Sequence, residues 1–405
     1  MHCIVFSHLR WAFVYQRPQH LMSRLAARTP VWFLEEPVFD EGEPWLERGL
    51  PVAGVTVLRP HTPVAAPGFH DDQLGSIRLL LRDLIEASNL VDYIAWFYTP
   101  MALPLIADLH PSAVVFDCMD ELSAFKGAPL QLRQRETALL RRADLVLTGG
   151  PSLYEAKRHR HPNVLCLPNA VDAAHYAPGR LGEKPEHAAE ASRLQGHLAA
   201  PRLGYFGVID ERFDVELLTA LVDTRPAWHF VLVGPVVKID ESTLPRRPNL
   251  TWLGQQPYEL LPQLVAGWDV CLLPFALNES TRFISPTKTL EYLAAEKPVV
   301  STAVHDVLEL YGDVVRVRAD IPSFIAACEE ALAEGETERR ARIRKSDARV
   351  ARYSWDRTVE VIEDTVAAAV EMARVLPPRR EVTGDTLSVA KGLHVVQRAS
   401  TPTGS

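Results

Sequence analysis

Ser285-Pro286-Thr287-Lys288-Thr289-Leu290-Glu291-Tyr292-Leu293-Ala294-Ala295-Glu296-Lys297-Pro298-Val299-Val300 decides how this chain is read. The stretch predicts a helix set between two buried strands. Ser285 is a good N-cap, Pro286 suits the first helical position because the N–H it lacks has no partner there, and Lys297-Pro298 stops the run before Val299. Upstream, Val270-Cys271-Leu272-Leu273 is the short apolar run of a central parallel strand. In a strand, loop, helix, strand unit the helix starts at the C-terminal rim of the sheet. Free N–H groups and the helix dipole there favour an anion such as phosphate. Lys288 and Glu291, three residues apart, share a helix face. The lysine suits a diphosphate, and the carboxylate suits two ribose hydroxyls. An exposed helical ion pair, worth roughly a few tenths of a kcal/mol, has the same spacing, so this stretch alone leaves both readings open.

The rest of the chain narrows the choice. With 405 residues it exceeds what one core usually supports, which predicts two domains. A net charge of −8 argues against general nucleic-acid binding. Five cysteines, Cys3, Cys118, Cys166, Cys271 and Cys328, are scattered through strand-like runs and read as thiols of a reducing compartment. No segment is apolar for long enough to predict a membrane span, and Cys3-Ile4-Val5-Phe6 reads as a first strand rather than a signal peptide. These features predict a cytoplasmic protein, in free solution or peripheral at the inner membrane face.

Strand and helix signals alternate through Val31 to Leu34, Val55 to Leu58, Ile77 to Ala87, Tyr93 to Tyr98, Val114 to Asp117, Leu130 to Arg142 and Leu145 to Leu147. That alternation predicts a parallel sheet flanked by helices. Between the first strand and a helix beginning near Pro18 lies a loop rich in aromatic and basic residues. Its Trp11, Gln16 and Arg17 are candidates for holding an acceptor, with a plain hydrophobic loop as the other reading. Asp120 and Glu121, at another strand end, suit an acceptor hydroxyl or an ordinary acidic turn. Arg133, Arg135, Arg141, Arg142 and Lys157-Arg158-His159-Arg160 form a basic surface, either solvated or resting on anionic lipid.

Composition shifts after Asp172, and residues 173–200 read as a linker. The second domain, residues 201–354, opens on a strand ending at Gly207, with Arg212 in the loop beyond. Arg212 suits a diphosphate or a local salt bridge with Asp210 or Asp214. Two further strands end at Gly234 and Gly254, whose rims are candidate walls for a nucleobase. No G-x-G-x-x-G follows the first strand, which weighs against an NAD enzyme. A long helix over residues 355–376 is expected to cross back to the first domain, residues 1–172, and residues 377–405 are expected to be disordered.

Pro274-Phe275, Ser285-Pro286-x-Lys288-x-x-Glu291-Tyr292-Leu293-Ala294 and Lys297-Pro298-Val299-Val300 together resemble the donor site of GT-B glycosyltransferases, retaining family 4 (group 1) in particular. Leu167-Pro168-Asn169-Ala170-Val171-Asp172, Asn249 to Gly254 with Pro257 to Leu261, and Tyr353-Ser354-Trp355 match in order. The resemblance implies two Rossmann-like doubly wound α/β domains with an interdomain cleft and a C-terminal crossover helix. It implies transfer of a sugar, with retention, from a nucleotide diphosphate sugar to a polysaccharide, glycolipid or other hydroxyl acceptor, without metal or cofactor. Donor residues are then Gly207, Arg212, Gly234, Gly254, Arg282, Ser285, Thr287, Lys288 and Glu291, with Arg17, Asp120, Arg212 and Lys288 nearest the reaction. The family's first acidic position falls on Phe283, and the His that many members place before an Asp is Met119. These departures motivate a catalytically silent nucleotide-sugar or partner binder as the alternative. A phosphorylase or epimerase on the same architecture is a third reading.

Overall fold

The structure is a computed structural model that describes residues 1–375. The expectation for residues 377–405 therefore lies outside the described residues. Two sheets organise the chain. The first contains β1 (His2–Phe6), β2 (Val31–Leu34), β3 (Val38–Phe39), β4 (Trp45–Val52), β5 (Val55–Thr62), β6 (Tyr93–Phe97), β7 (Ala113–Cys118), β8 (Leu145–Thr148) and β9 (Val164–Cys166). Its order is β3-β5-β2-β1-β6-β7-β8-β9, parallel throughout, with β4 added antiparallel to β5. The second contains β10 (Arg202–Phe206), β11 (His229–Val233), β12 (Leu250–Trp252), β13 (Val270–Leu273), β14 (Val299–Thr302) and β15 (Arg316–Arg318), all parallel in the order β12-β11-β10-β13-β14-β15.

Both sheets obey the rule that parallel strands flanked by helices are apolar on both faces. Every residue of β6, β7, β8, β13 and β14 is buried. In each sheet the order reverses at the first strand. β1 lies between β2 and β6, and β10 lies between β11 and β13. Such switch points open a crevice at the C-terminal ends of the strands. The fold is GT-B, with two doubly wound halves and a cleft between them.

The helix Trp355–Val375 closes the chain onto the first half. Its Trp355, Val359, Ile362, Val366, Ala369 and Val370 enter the same core as Val5, Leu21 and Val115. On its polar side Asp356 receives Arg24 at 2.7 Å, and Glu363 receives Arg28 at 2.6 Å.

Two expectations about local structure change. Residues 173–200, read as a linker, are largely helical: Ala173–Tyr176, Pro178–Glu183 and Pro185–Gln195. Tyr176 and Ala191 bury into the core of the second half, and that packing orders a segment whose composition reads as a connector. The donor-region helix runs over Lys288–Ala294, so Ser285 is not its N-cap. Thr287 occupies the cap position, and the turn begins with a bond from the Thr289 N–H to the Pro286 carbonyl at 3.2 Å. Ser285 is instead drawn toward the first half, where its carbonyl accepts the Asn169 side-chain amide at 2.7 Å.

Candidate functional site

The cleft between the sheets takes its floor from the second half. Gly207 follows β10 with φ +138°, and Gly234 follows β11 with φ +142°. A Cβ on Gly207 would stand 1.9 Å from Lys288 Cε, and one on Gly234 would stand 1.9 Å from the Gly207 carbonyl oxygen. Only glycine allows this close stacking, and the Lys288 side chain lies across it. The Lys288 ammonium lies 5.7 Å from the Tyr205 ring centre and 5.9 Å from that of Phe275, and makes no hydrogen bond or ion pair among the described residues. Burial, and then the neighbouring Arg212 charge, lower its pKa.

Glu291, 6% exposed, stands behind it. Burial raises its carboxyl above the ordinary carboxylate range, against the pull of Lys288 and the Tyr176 hydroxyl. An acid and a base are thus both held away from their usual pKa values in a concave site, a combination concentrated at functional centres.

Arg212 also enters the cleft. Its Nε lies 3.0 Å and one terminal nitrogen 2.7 Å from the Asp210 carboxylate, the other terminal nitrogen is 4.0 Å from Asp120, and the guanidinium lies 5.2 Å from the Phe125 ring centre. The local salt bridge and a place in the cleft, offered as alternatives by the sequence, therefore coexist. Asp120 is desolvated, which raises its pKa against Arg212. From the first half, Arg17 forms a buried pair with Asp117, Nε at 3.0 Å, and donates to the Leu167 carbonyl at 2.9 Å. Tyr15 stacks on Tyr258 across the cleft at 4.7 Å, beside Gln255 and Gln256.

Residues 200–334 match the sequence model of the family described as Glycosyl transferases group 1. The TuaH glycosyltransferase of Bacillus subtilis, named for teichuronic acid biosynthesis, is 26% identical over 290 residues, 67% of this chain and 71% of that protein. The second half of the chain is similar to the group 1 glycosyltransferases. Among solved structures, sucrose-phosphate synthase from Thermosynechococcus elongatus is similar with a TM-score of 0.68 at 16% identity, over 92% of this chain and 100% of that one. Anabaena HepE, in complex with UDP and glucose, is similar with a TM-score of 0.64 at 16% identity, over 91% and 100%. At these identities the likenesses show the fold.

Of the residues singled out from sequence, Gln16, Arg17, Asp120, Gly207, Arg212, Gly234, Ser285, Thr287, Lys288 and Glu291 all line the cleft. Four do not. Trp11 is buried edge-on against Phe33 in the first core, where its apolar area is better satisfied than in an open loop. Glu121 turns away from the cleft and receives Lys157 at 2.5 Å and the Ser123 hydroxyl at 2.7 Å. Arg282 is 66% exposed and lies over Phe283. Gly254 supports the cleft from behind, its carbonyl accepting the Gly234 N–H at 2.7 Å.

Sequence reasoning passed over Tyr15, Asn169, Tyr205 and Tyr258, which also line the cleft. The Pro168-Asn169 turn and the tyrosine after Pro257 were the available signals. Phe283, in place of the family's first acid, packs on the core of the first half and serves interdomain contact. Outside the cleft, His305, Asp306 and Glu309 bring ligand-type atoms within 4.8 Å of one another. The Asp306 carboxylate there is engaged by the Ser152 N–H at 3.1 Å.

Proposed function

We propose that this glycosyltransferase moves a sugar from a nucleoside diphosphate sugar to a hydroxyl of a polysaccharide, glycolipid or related acceptor, with retention at the anomeric carbon. The observation that carries the reading is the convergence of Lys288, which lies over Gly207, and Glu291 on one interdomain cleft. Lys288, Arg212 and the amides leading into the Lys288–Ala294 helix take the diphosphate, and Glu291 accepts hydrogen bonds from the ribose. The two cations stabilise the negative charge that grows on the departing diphosphate, and they act more strongly for being partly desolvated. Retention follows from the family resemblance, with the acceptor attacking on the leaving-group face. Residues 1–172 hold the acceptor, residues 201–354 hold the donor, and approach of the two aligns the reacting groups.

The work is assigned to the cytoplasm, where the five free cysteines stay reduced, at or near the inner membrane face where cell-surface polymers are begun. The name of the TuaH relative supports the polymer assignment.

A screen of UDP, GDP, ADP and dTDP sugars for ligand-induced rise in melting temperature tests the donor role and identifies the base. The selected donor should lose about 10-fold or more in affinity for Glu291→Ala, with little change in the unliganded melting temperature. Equal affinity for wild type and Glu291→Ala by calorimetry refutes the ribose role.

A further inference from the structure

Gly207, Lys288 and Glu291 all belong to the second half, yet the residues that lead into the Lys288–Ala294 helix are held from the first. Two segments of the first half make that contact. Gly149-Gly150 leads from β8 into the helix Pro151–Lys157, and Leu167-Pro168-Asn169 follows β9. Backbone bonds lock them side by side, from the Leu167 N–H to the Thr148 carbonyl at 3.0 Å and from the Asn169 N–H to the Gly149 carbonyl at 3.2 Å.

The Asn169 side chain is engaged at both ends. Its Oδ1 accepts the Arg17 guanidinium at 3.4 Å, and because that buried group offers only donors, Nδ2 is the end left to meet the Ser285 carbonyl, at 2.7 Å. Pro286 comes next with its fixed φ, so little slack separates that carbonyl from Thr287 and Lys288.

A second contact seats the same surfaces. Asp306, fully buried in the helix His305–Tyr311, accepts the Ser152 N–H at 3.1 Å. Gly150 lies between Asp306 and Ser285. Its backbone is extended, so no φ demands glycine, but a Cβ there would overlap Asp306 Oδ2 and stand 2.7 Å from Ser285 Cβ. Space alone requires glycine at this point.

We infer that Asn169 is a positioning residue for the donor. It acts through the Ser285 carbonyl to hold the helix entry and Lys288 against the diphosphate, and the seat of Gly150 on Asp306 brings the first half close enough for it to do so. The inference rests on the donor reading above and deepens it, since nucleotide affinity then depends on the half that does not carry the donor residues. Linkage requires reciprocity. If the seam raises nucleotide affinity, the nucleotide must tighten the seam by the same factor, although neither Ser152 nor Asp306 lines the cleft.

Calorimetric titration of the full chain with UDP, GDP, ADP and dTDP tests this, together with hydrogen exchange at the Ser152 amide read by mass spectrometry. The tightest of the four nucleotides should lose about tenfold in affinity for Asn169→Ala and for Asp306→Ala. Asp306→Asn, whose amide oxygen can still accept the Ser152 N–H, should stay within about twofold of wild type. Gly150→Val should lose as much as Asn169→Ala, and the two together little more. The nucleotide should slow Ser152 exchange about tenfold in the wild type and leave it unchanged in Asn169→Ala. The inference is overturned if Asn169→Ala binds nucleotide as the wild type does, if Asp306→Asn loses as much as Asp306→Ala, or if nucleotide leaves wild-type Ser152 exchange unaltered. A wild type that binds none of the four nucleotides would strike the donor reading and this inference with it, whereas binding that ignores Asn169 strikes the inference alone.

Discussion

Gly207→Ala is the substitution that separates the roles of backbone and cation in the cleft. A methyl at this position would stand 1.9 Å from Lys288 Cε, on a backbone with φ +138° that side chains with a Cβ rarely adopt. The backbone strain costs about 1–3 kcal/mol, which lowers the melting temperature by roughly 2–10 °C. The clash falls near the end of a flexible side chain, so the protein relieves it by moving Lys288 away from the cleft floor. If Lys288 holds the diphosphate, the donor loses one charge-assisted contact of about 1.5–3 kcal/mol, or about 10- to 150-fold in dissociation constant. Calorimetric titration with UDP measures that loss, and thermal unfolding measures the strain. A cycle with Lys288→Ala sharpens the argument. Once the lysine side chain is gone, Gly207→Ala should still lower the melting temperature but should add almost nothing to the loss of UDP affinity. Additive losses of UDP affinity in the double variant, or undiminished affinity in Gly207→Ala, would refute the role given to Lys288.

Other expectations follow from the first half. Asp117→Ala leaves the Arg17 guanidinium, 1% exposed, without its carboxylate, and should destabilise the fold by about 3–5 kcal/mol in urea or thermal unfolding. UDP affinity measured below the transition should not change, because the pair supports the cleft wall without reaching the donor floor. The raised Glu36 carboxyl sets a pH dependence. The folded chain keeps a proton that the unfolded chain releases between its ordinary value of 4.5 and about 7. Wild-type stability should therefore fall relative to Glu36→Gln as pH rises through that window, and be level above and below it. Parallel pH profiles for the two proteins would show that Glu36 is not desolvated as the fold implies.

The sequence by itself determined the elements that carry local chemistry. Runs such as Val270 to Leu273 are apolar on both faces, and they predicted buried parallel strands that the sheets contain. The spacing of Lys288 and Glu291 placed both on one helix face, because helical periodicity is a property of neighbours along the chain. Pro286 and Pro298 bracketed the helix for the same reason, although the cap moved from Ser285 to Thr287 when Asn169 drew the Ser285 carbonyl across the cleft.

Only the tertiary structure decided which polar groups are already committed. Trp11 and Glu121 had the right chemistry for an acceptor, yet one is buried in a core and the other is neutralised by Lys157. Arg212 is at once a partner of Asp210 and a wall of the cleft. Pairing of this kind joins residues from distant strands and from both halves. Its energy depends on burial and on contacts across space, so it has no period or motif in the sequence through which it could be read.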